Sequence, residues 1–213
     1  MLDLAGIKSP GGFDGQSLKT VFEGGKLKGR DEMFFTQFYA KNGNNHYNMR
    51  TALDGKYSYT FNSFYTGERL YVTTSLGGSF FQSMVNKGKT EPYWNKRAEF
   101  LLRRAPEELY DLEKDPYGFN NLVSHPEYKE IIDKFRKGMM TNMEKTNDFV
   151  APVFQVYQES QDVKKMRAQY EAIQESGAFV GNIPKRALDI RKWTDPEAYE
   201  AENPKKKKNS HKK

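Results

Sequence analysis

The chain has 213 residues, 37% hydrophobic and 14% aromatic, enough to build one sizeable domain or two small ones. The absence of cysteine excludes disulfides, thiolate metal sites and a cysteine nucleophile, and without a run of 18 apolar residues no transmembrane helix is expected. The formal charge of +6 belongs to the end of the chain, where Lys205 to Lys208, Lys212 and Lys213 have no acid among them; without those six, 28 basic residues face 28 acidic ones. A like-charge block of this kind is usually solvated, so residues 204–213 read as a disordered Lys-rich tail. The first residues lack a basic start followed by a long apolar stretch, and no signal peptide is expected.

In chain order, Leu2, Leu4 and Ile7 suit a short helix that Gly6 terminates, and Ser17 to Phe22 a second helical turn ended by Gly24-Gly25. Met33 to Phe38 is a continuous apolar run, the pattern of a strand buried on both faces. Such a strand needs neighbours, and little of the chain before it supplies them. Met49 to Leu53, the turn Asp54-Gly55 and Lys56 to Phe61 read as a hairpin, with Tyr57, Tyr59 and Phe61 alternating onto the core side. Gly78 to Asn86 and Tyr93 to Glu99 suit short helices. Leu101 to Arg104 and Glu108 to Leu112 suit two strands separated by Ala105-Pro106.

Asp115 to Gly118 has turn chemistry, and Ser124-x-x-Glu127 reads as a capping box opening a helix from about His125 to Lys145. That helix carries Tyr128, Ile131, Ile132, Phe135, Met139 and Met143 as one apolar stripe. A further helix runs from about Phe154 to Ser176 and ends at Gly177. Phe179, Ile183, Leu188, Ile190 and Trp193 follow as anchors without a clear period. The expected fold is α+β: a small antiparallel sheet of about four strands packed by the long helix, then a helical extension over 149–203 and the basic tail.

Candidate chemistry is sparse. The histidines are His46, His125 and His211, and no Ser-His-Asp order, Gly-rich phosphate loop or metal-binding His pair occurs. Arg50 suits either an oxyanion, which guanidinium matches bidentately, or a structural ion pair. Lys41, Asn42, Asn44 and Asn45 suit either hydrogen bonds to a sugar or an ordinary turn.

Several stretches together resemble the sulfatases. Phe100 to Tyr128, FLLRRAPEELYDLEKDPYGFNNLVSHPEY, contains an ELYDLEKDP…NNL pattern similar to their C-terminal subdomain. LDLAGIKSPGGFDGQSL (Leu2 to Leu18) and RDEMFFTQF (Arg30 to Phe38) resemble the end of the catalytic domain and the strand after it. Tyr47-Asn48-Met49-Arg50 is similar to the Tyr-Pro-Met-Arg element of the N-sulfoglucosamine sulfohydrolase-like branch, and Tyr57 to Asn62 to the strand that follows. The resemblance covers about residues 1–148. It implies that 1–45 are the last elements of a catalytic domain and 46–148 the α+β subdomain.

The resemblance also implies hydrolysis of sulfate esters or N-sulfates on sugars by a hydrated formylglycine, formed in a C/S-x-P-x-R motif and held on calcium. Neither fits this chain. It has no cysteine, and Ser124-His125-Pro126-Glu127-Tyr128 ends in Tyr where Arg is required. Formylglycine and calcium are therefore expected only in an N-terminal domain absent here, and no catalytic residue or metal ligand is assigned.

Tyr39 stands where the branch has a His near the sulfated sugar, and Asn48 replaces the Pro. The substrate-contact candidates are Tyr39, His46 (on a loop that faces the cleft in the family) and Arg50. The expected partners are a separately encoded catalytic half and, in the full enzyme, a sulfated saccharide, with no membrane. The alternative is a nucleic-acid or acidic-polymer binding protein that uses the Lys-rich tail. As encoded the chain reads as cytoplasmic, whereas the full family is periplasmic or secreted.

Overall fold

Alternation of aromatic residues along one strand organises the sheet. In the computed structural model, which describes residues 2–11, 16–27, 33–42, 45–177 and 196–202, Tyr59 and Phe61 point into the core and are completely buried. Their strand, β3 (Tyr57–Asn62), lies between β2 (Asn45–Leu53) and β4 (Glu107–Asp111), and β1 (Phe34–Asn42) pairs with the far side of β2. All pairings are antiparallel, in the order β1-β2-β3-β4. The β2–β3 turn forms because Gly55 accepts φ +89° and the Asp54 carboxylate accepts hydrogen bonds from the Lys56 and Tyr57 amides. The resulting register sets Ala52 beside Tyr59 and Arg50 beside Phe61.

Helices that follow β4 cover that face. Before the sheet come a 3-10 turn (Asp3–Ala5), ended by Gly6 in the left-handed conformation, and α1 (Lys19–Phe22). The excursion between β3 and β4 carries α2 (Ser79–Gly88) and α3 (Pro92–Leu102). After β4 come α4 (Lys129–Lys145), α5 (Ala151–Ser160), α6 (Val163–Glu175) and α7 (Pro196–Glu202).

The stripe of α4 buries Ile132, Phe135, Met139 and Met143, at helical spacing. Phe135 stacks on Tyr59 at 5.8 Å, and Phe154 of α5 meets Phe61 edge-on at 4.9 Å. Met166 and Tyr170 of α6 join the same core. Each such side chain contributes about 1.5–3 kcal/mol of burial. A smaller cluster (Val72, Leu76, Phe81, Met84, Ala98, Leu102) holds the excursion together. The excursion covers the other sheet face: Tyr47 packs on Phe64 and Tyr71, and its hydroxyl donates to the Leu70 carbonyl.

The fold is α+β as expected, and four local readings change. First, β1 is not buried on both faces. Phe34 and Phe38 are 56% and 46% exposed, because β1 is an edge strand whose Phe35 and Ala40 pack against the core while these two do not. Second, Leu101 to Arg104 is no strand. Leu101 and Leu102 form the last turn of α3, since Ala98 and Leu102, four apart, bury on one helical face.

Third, Ser124 makes no capping bond. A 3-10 turn (Pro126–Tyr128) precedes α4 instead, and neither start has a side-chain cap. Fourth, the helix expected over Phe154 to Ser176 is two. Gln161 takes a left-handed φ of 49°, and the Asp162 carboxylate caps α6 by accepting from the Lys164 and Lys165 amides at 2.8 and 3.4 Å.

The anchors Phe179 to Trp193 and the tail over 204–213 lie outside the described residues. Among the described residues no helix is long and apolar enough to cross a membrane.

The cap gives a direct prediction. Asp162→Ala removes the acceptor for both amides and lowers stability by about 1 kcal/mol, read as a lower urea midpoint with unchanged slope. An unchanged midpoint contradicts this role.

Candidate functional site

Polar side chains concentrate on the helix-facing side of β2, where His46, Asn48 and Arg50 alternate in register and are all buried. A buried polar group must be hydrogen-bonded or it costs stability, and each of these is partnered. Arg50 meets Asp148, in the corner between α4 and α5, as a bidentate pair. Nε donates to Oδ2 at 2.5 Å and Nη2 to Oδ1 at 2.8 Å, with the side chains 5% and 1% exposed.

Arg50 Nη1 donates to the Met49 carbonyl, and the guanidinium lies 5.4 Å from the Phe149 ring centroid. Gln37 Nε2 of β1 and the Val150 amide also donate to Asp148. A sulfate can reach this guanidinium only by displacing the carboxylate. The sequence offers no periodic signal for Asp148, which sits in a non-repetitive corner.

Tyr39 and His46 come together on that same face, toward the β1 edge of the sheet. The Tyr39 hydroxyl lies 2.8 Å from His46 Nδ1, and burial pushes its pKa up. Behind them, the Tyr170 hydroxyl donates to the His46 carbonyl at 2.6 Å and accepts from Asn48 Nδ2 at 3.2 Å. His46 is thus a buried strand residue rather than a solvated loop residue. The pair presents a half-exposed phenol backed by an imidazole.

The remaining candidates do not join them. His125 is exposed beside Glu127, His211 lies outside the described residues, and the side chains of Lys41, Asn42, Asn44 and Asn45 are not described. Among the described residues no group of three or more His, Asp or Glu is arranged to hold a metal. With no cysteine and no C/S-x-P-x-R segment, the residues present do not fit the formylglycine or calcium of the sulfatase reaction.

A second buried polar centre surrounds Glu107 of β4. Its carboxylate accepts from Tyr59, from Arg136 (Nε at 3.0 Å, Nη2 at 2.5 Å) and from Gln158 at 2.8 Å. Glu108 takes Arg104 and the Asn62 amide on the opposite face. A signal was present in the sequence, since EELYD places three acids in a strand that is buried throughout.

Two predictions follow from these contacts. Asp148→Ala strands the Arg50 charge in the interior and costs about 3–5 kcal/mol. An Arg50→Met, Asp148→Leu double variant costs much less, as denaturant midpoints will show; equal and additive losses contradict a coupled pair.

Tyr157 and Tyr170 are pushed up from 10.0 to about 12, chiefly by burial, with the nearby Glu107 adding to the effect at Tyr157. Folding therefore favours the neutral phenols. That stability is fully present below pH 10 and is lost as pH rises from 10 through 12. Absorbance titration should show these two tyrosines ionising late and together with unfolding. Titration of all tyrosines near pH 10 without unfolding contradicts it.

No family model matches the chain. An ulvan-active sulfatase of Formosa agariphila is 27% identical over 153 residues, covering 70% of this chain and 28% of that protein. An arylsulfatase of Clostridium perfringens is 43% identical over 51 residues, covering 23% of this chain and 11% of that protein. The chain therefore spans less than a third of the length of the curated relatives it matches.

Among solved structures, a Bacteroides thetaiotaomicron VPI-5482 protein assigned as a sulfatase aligns with TM-score 0.45 and a 2-O GAG sulfatase with 0.44. Each is 22% identical and covers 69% of this chain and 23% of the other. At those scores neither carries an argument. By sequence the chain is similar to these sulfatases, consistent with a sulfatase C-terminal region and leaving the branch open.

Proposed function

We propose that this chain acts as the C-terminal part of a sulfatase, supporting hydrolysis of sulfate esters or N-sulfates on sugars in a whole enzyme and not catalysing it alone. Sulfate is an anionic, sluggish electrophile, so its hydrolysis demands a strong nucleophile and neutralisation of developing charge. The observation that carries the proposal is the sulfatase match over 70% of a chain without cysteine. The groups best suited to help, Arg50 and His46, are engaged in structural bonds.

In this reading formylglycine and calcium belong to a catalytic half that lies on other residues of the enzyme. The Tyr39–His46 side of the sheet lies toward the sulfated saccharide.

Assay of the purified chain with a chromogenic sulfate ester, with and without calcium, should give no turnover above the blank. Mixing with a polypeptide that carries the C/S-x-P-x-R segment of the same enzyme should raise that polypeptide's turnover. Activity of the chain alone, or no response on mixing, overturns the assignment.

A further inference from the structure

The excursion between β3 and β4 and the turn after β4 build a surface that the reading above does not use. Tyr93 of α3 and Tyr117 and Phe119 of the turn are 58%, 77% and 38% exposed. They are neighbours: Tyr93 and Phe119 lie 6.4 Å apart, Tyr117 and Phe119 6.2 Å, and Tyr93 meets Trp94 edge-on at 5.1 Å. The turn holds its rings in place, because Asp115 Oδ2 accepts from the Phe119 and Asn120 amides, both at 2.7 Å, and Gly118 takes a left-handed φ of 61°.

Cations are set into this strip. The Arg97 guanidinium lies 4.1 Å from the Phe119 centroid and 5.2 Å from that of Phe100. Lys87 Nζ lies 5.3 Å from the Trp94 centroid. Arg97 is only partly exposed, and its Nη1 is buried with no hydrogen-bond acceptor. The Asp115 carboxylate of the adjoining turn is engaged by backbone amides.

A contiguous run of exposed rings marks an interaction surface. These rings are tilted 46° and 64° to one another and form successive facets rather than one flat plane. Successive pyranose rings present C–H faces that pack on aromatic facets, while their hydroxyl edges stay in water. Guanidinium and ammonium groups beside the facets match oxyanions on those edges.

We propose that this strip binds a sulfated polysaccharide, with Tyr93, Tyr117 and Phe119 stacking on sugar rings and Lys87, with the half-buried Arg97 behind the rings, supplying positive charge toward sulfates. The ligand class rests on the sulfatase reading; the surface does not.

Affinity electrophoresis of the full chain in gels of dextran sulfate or polyvinyl sulfate tests it, because both polymers carry sulfates and only the first has sugar rings. At matched sulfate, dextran sulfate should retard the chain more strongly. A Tyr93→Ala, Tyr117→Ala variant should bind dextran sulfate about tenfold more weakly, as expected for two lost stacking contacts. Its binding to polyvinyl sulfate, which reports charge alone, and its thermal unfolding should not change.

Equal retardation of variant and parent, equal loss on both polymers, or no binding to dextran sulfate overturns the proposal. The readout involves no turnover. Failure here leaves the sulfatase reading standing, and turnover by the isolated chain would remove that reading without touching the binding result.

Discussion

A guanidinium taken out of water must find its full set of acceptors, and that requirement at Arg50 places much of this molecule. Its bidentate contact fixes Asp148, and Asp148 fixes the corner where α4 ends and α5 begins. The corner is tight: Asn147 takes a left-handed φ of 50°, and the Asp148 amide donates back to the Met143 carbonyl. From it α5 leaves in the direction that brings Phe154 onto Phe61. Gln37 donates to the same carboxylate, so β1, β2 and the helical layer converge on one charged pair. Such a pair adds little net energy relative to an apolar replacement, but losing one partner is costly. Its effect is on which arrangement forms.

Glu107 does on β4 what Asp148 does for β2. Its carboxylate draws together Tyr59 of β3, Arg136 of α4 and Gln158 of α5, so two helices and two strands share one acceptor. The apolar core lies between these two polar anchors. This arrangement has a functional consequence. Residue types that would serve sulfate chemistry in another setting (arginine, histidine, paired acids) are here committed to holding the fold.

Where periodicity and a single local energy dominate, the fold was legible. The Asp54-Gly55 turn, the alternation of Tyr57, Tyr59 and Phe61, and the α4 stripe each follow from backbone geometry and one buried face. Where tertiary context decides, it was not. MFFTQF reads as doubly buried, yet an edge strand of the same composition leaves Phe34 and Phe38 facing outward. Leu101 and Leu102 have the look of a strand start and instead close α3, because the smaller core of the excursion needs an apolar helical face. The break at Gln161-Asp162 did leave a trace, an Asp with N-cap chemistry inside a helical pattern.

The contacts among the candidate residues were not readable from the sequence. Tyr39 and His46 do meet, and Arg50 does form an ion pair, but its partner lies 98 positions away. Asp148, which holds Arg50 from behind, lies in a corner whose local pattern carries no hint of it, whereas Tyr170 stands at helical spacing from Met166, which marks it as core and not as the partner of His46 and Asn48.

The central physical claim is that sheet and helical layer form one cooperative unit clamped through Arg50 and Asp148. Native-state hydrogen exchange tests it most directly. Amides of β2, α4 and α5 should exchange through a single opening of the same free energy. Exchange of α5 and α6 through a separate, lower-energy opening while β2 and α4 stay protected would contradict it.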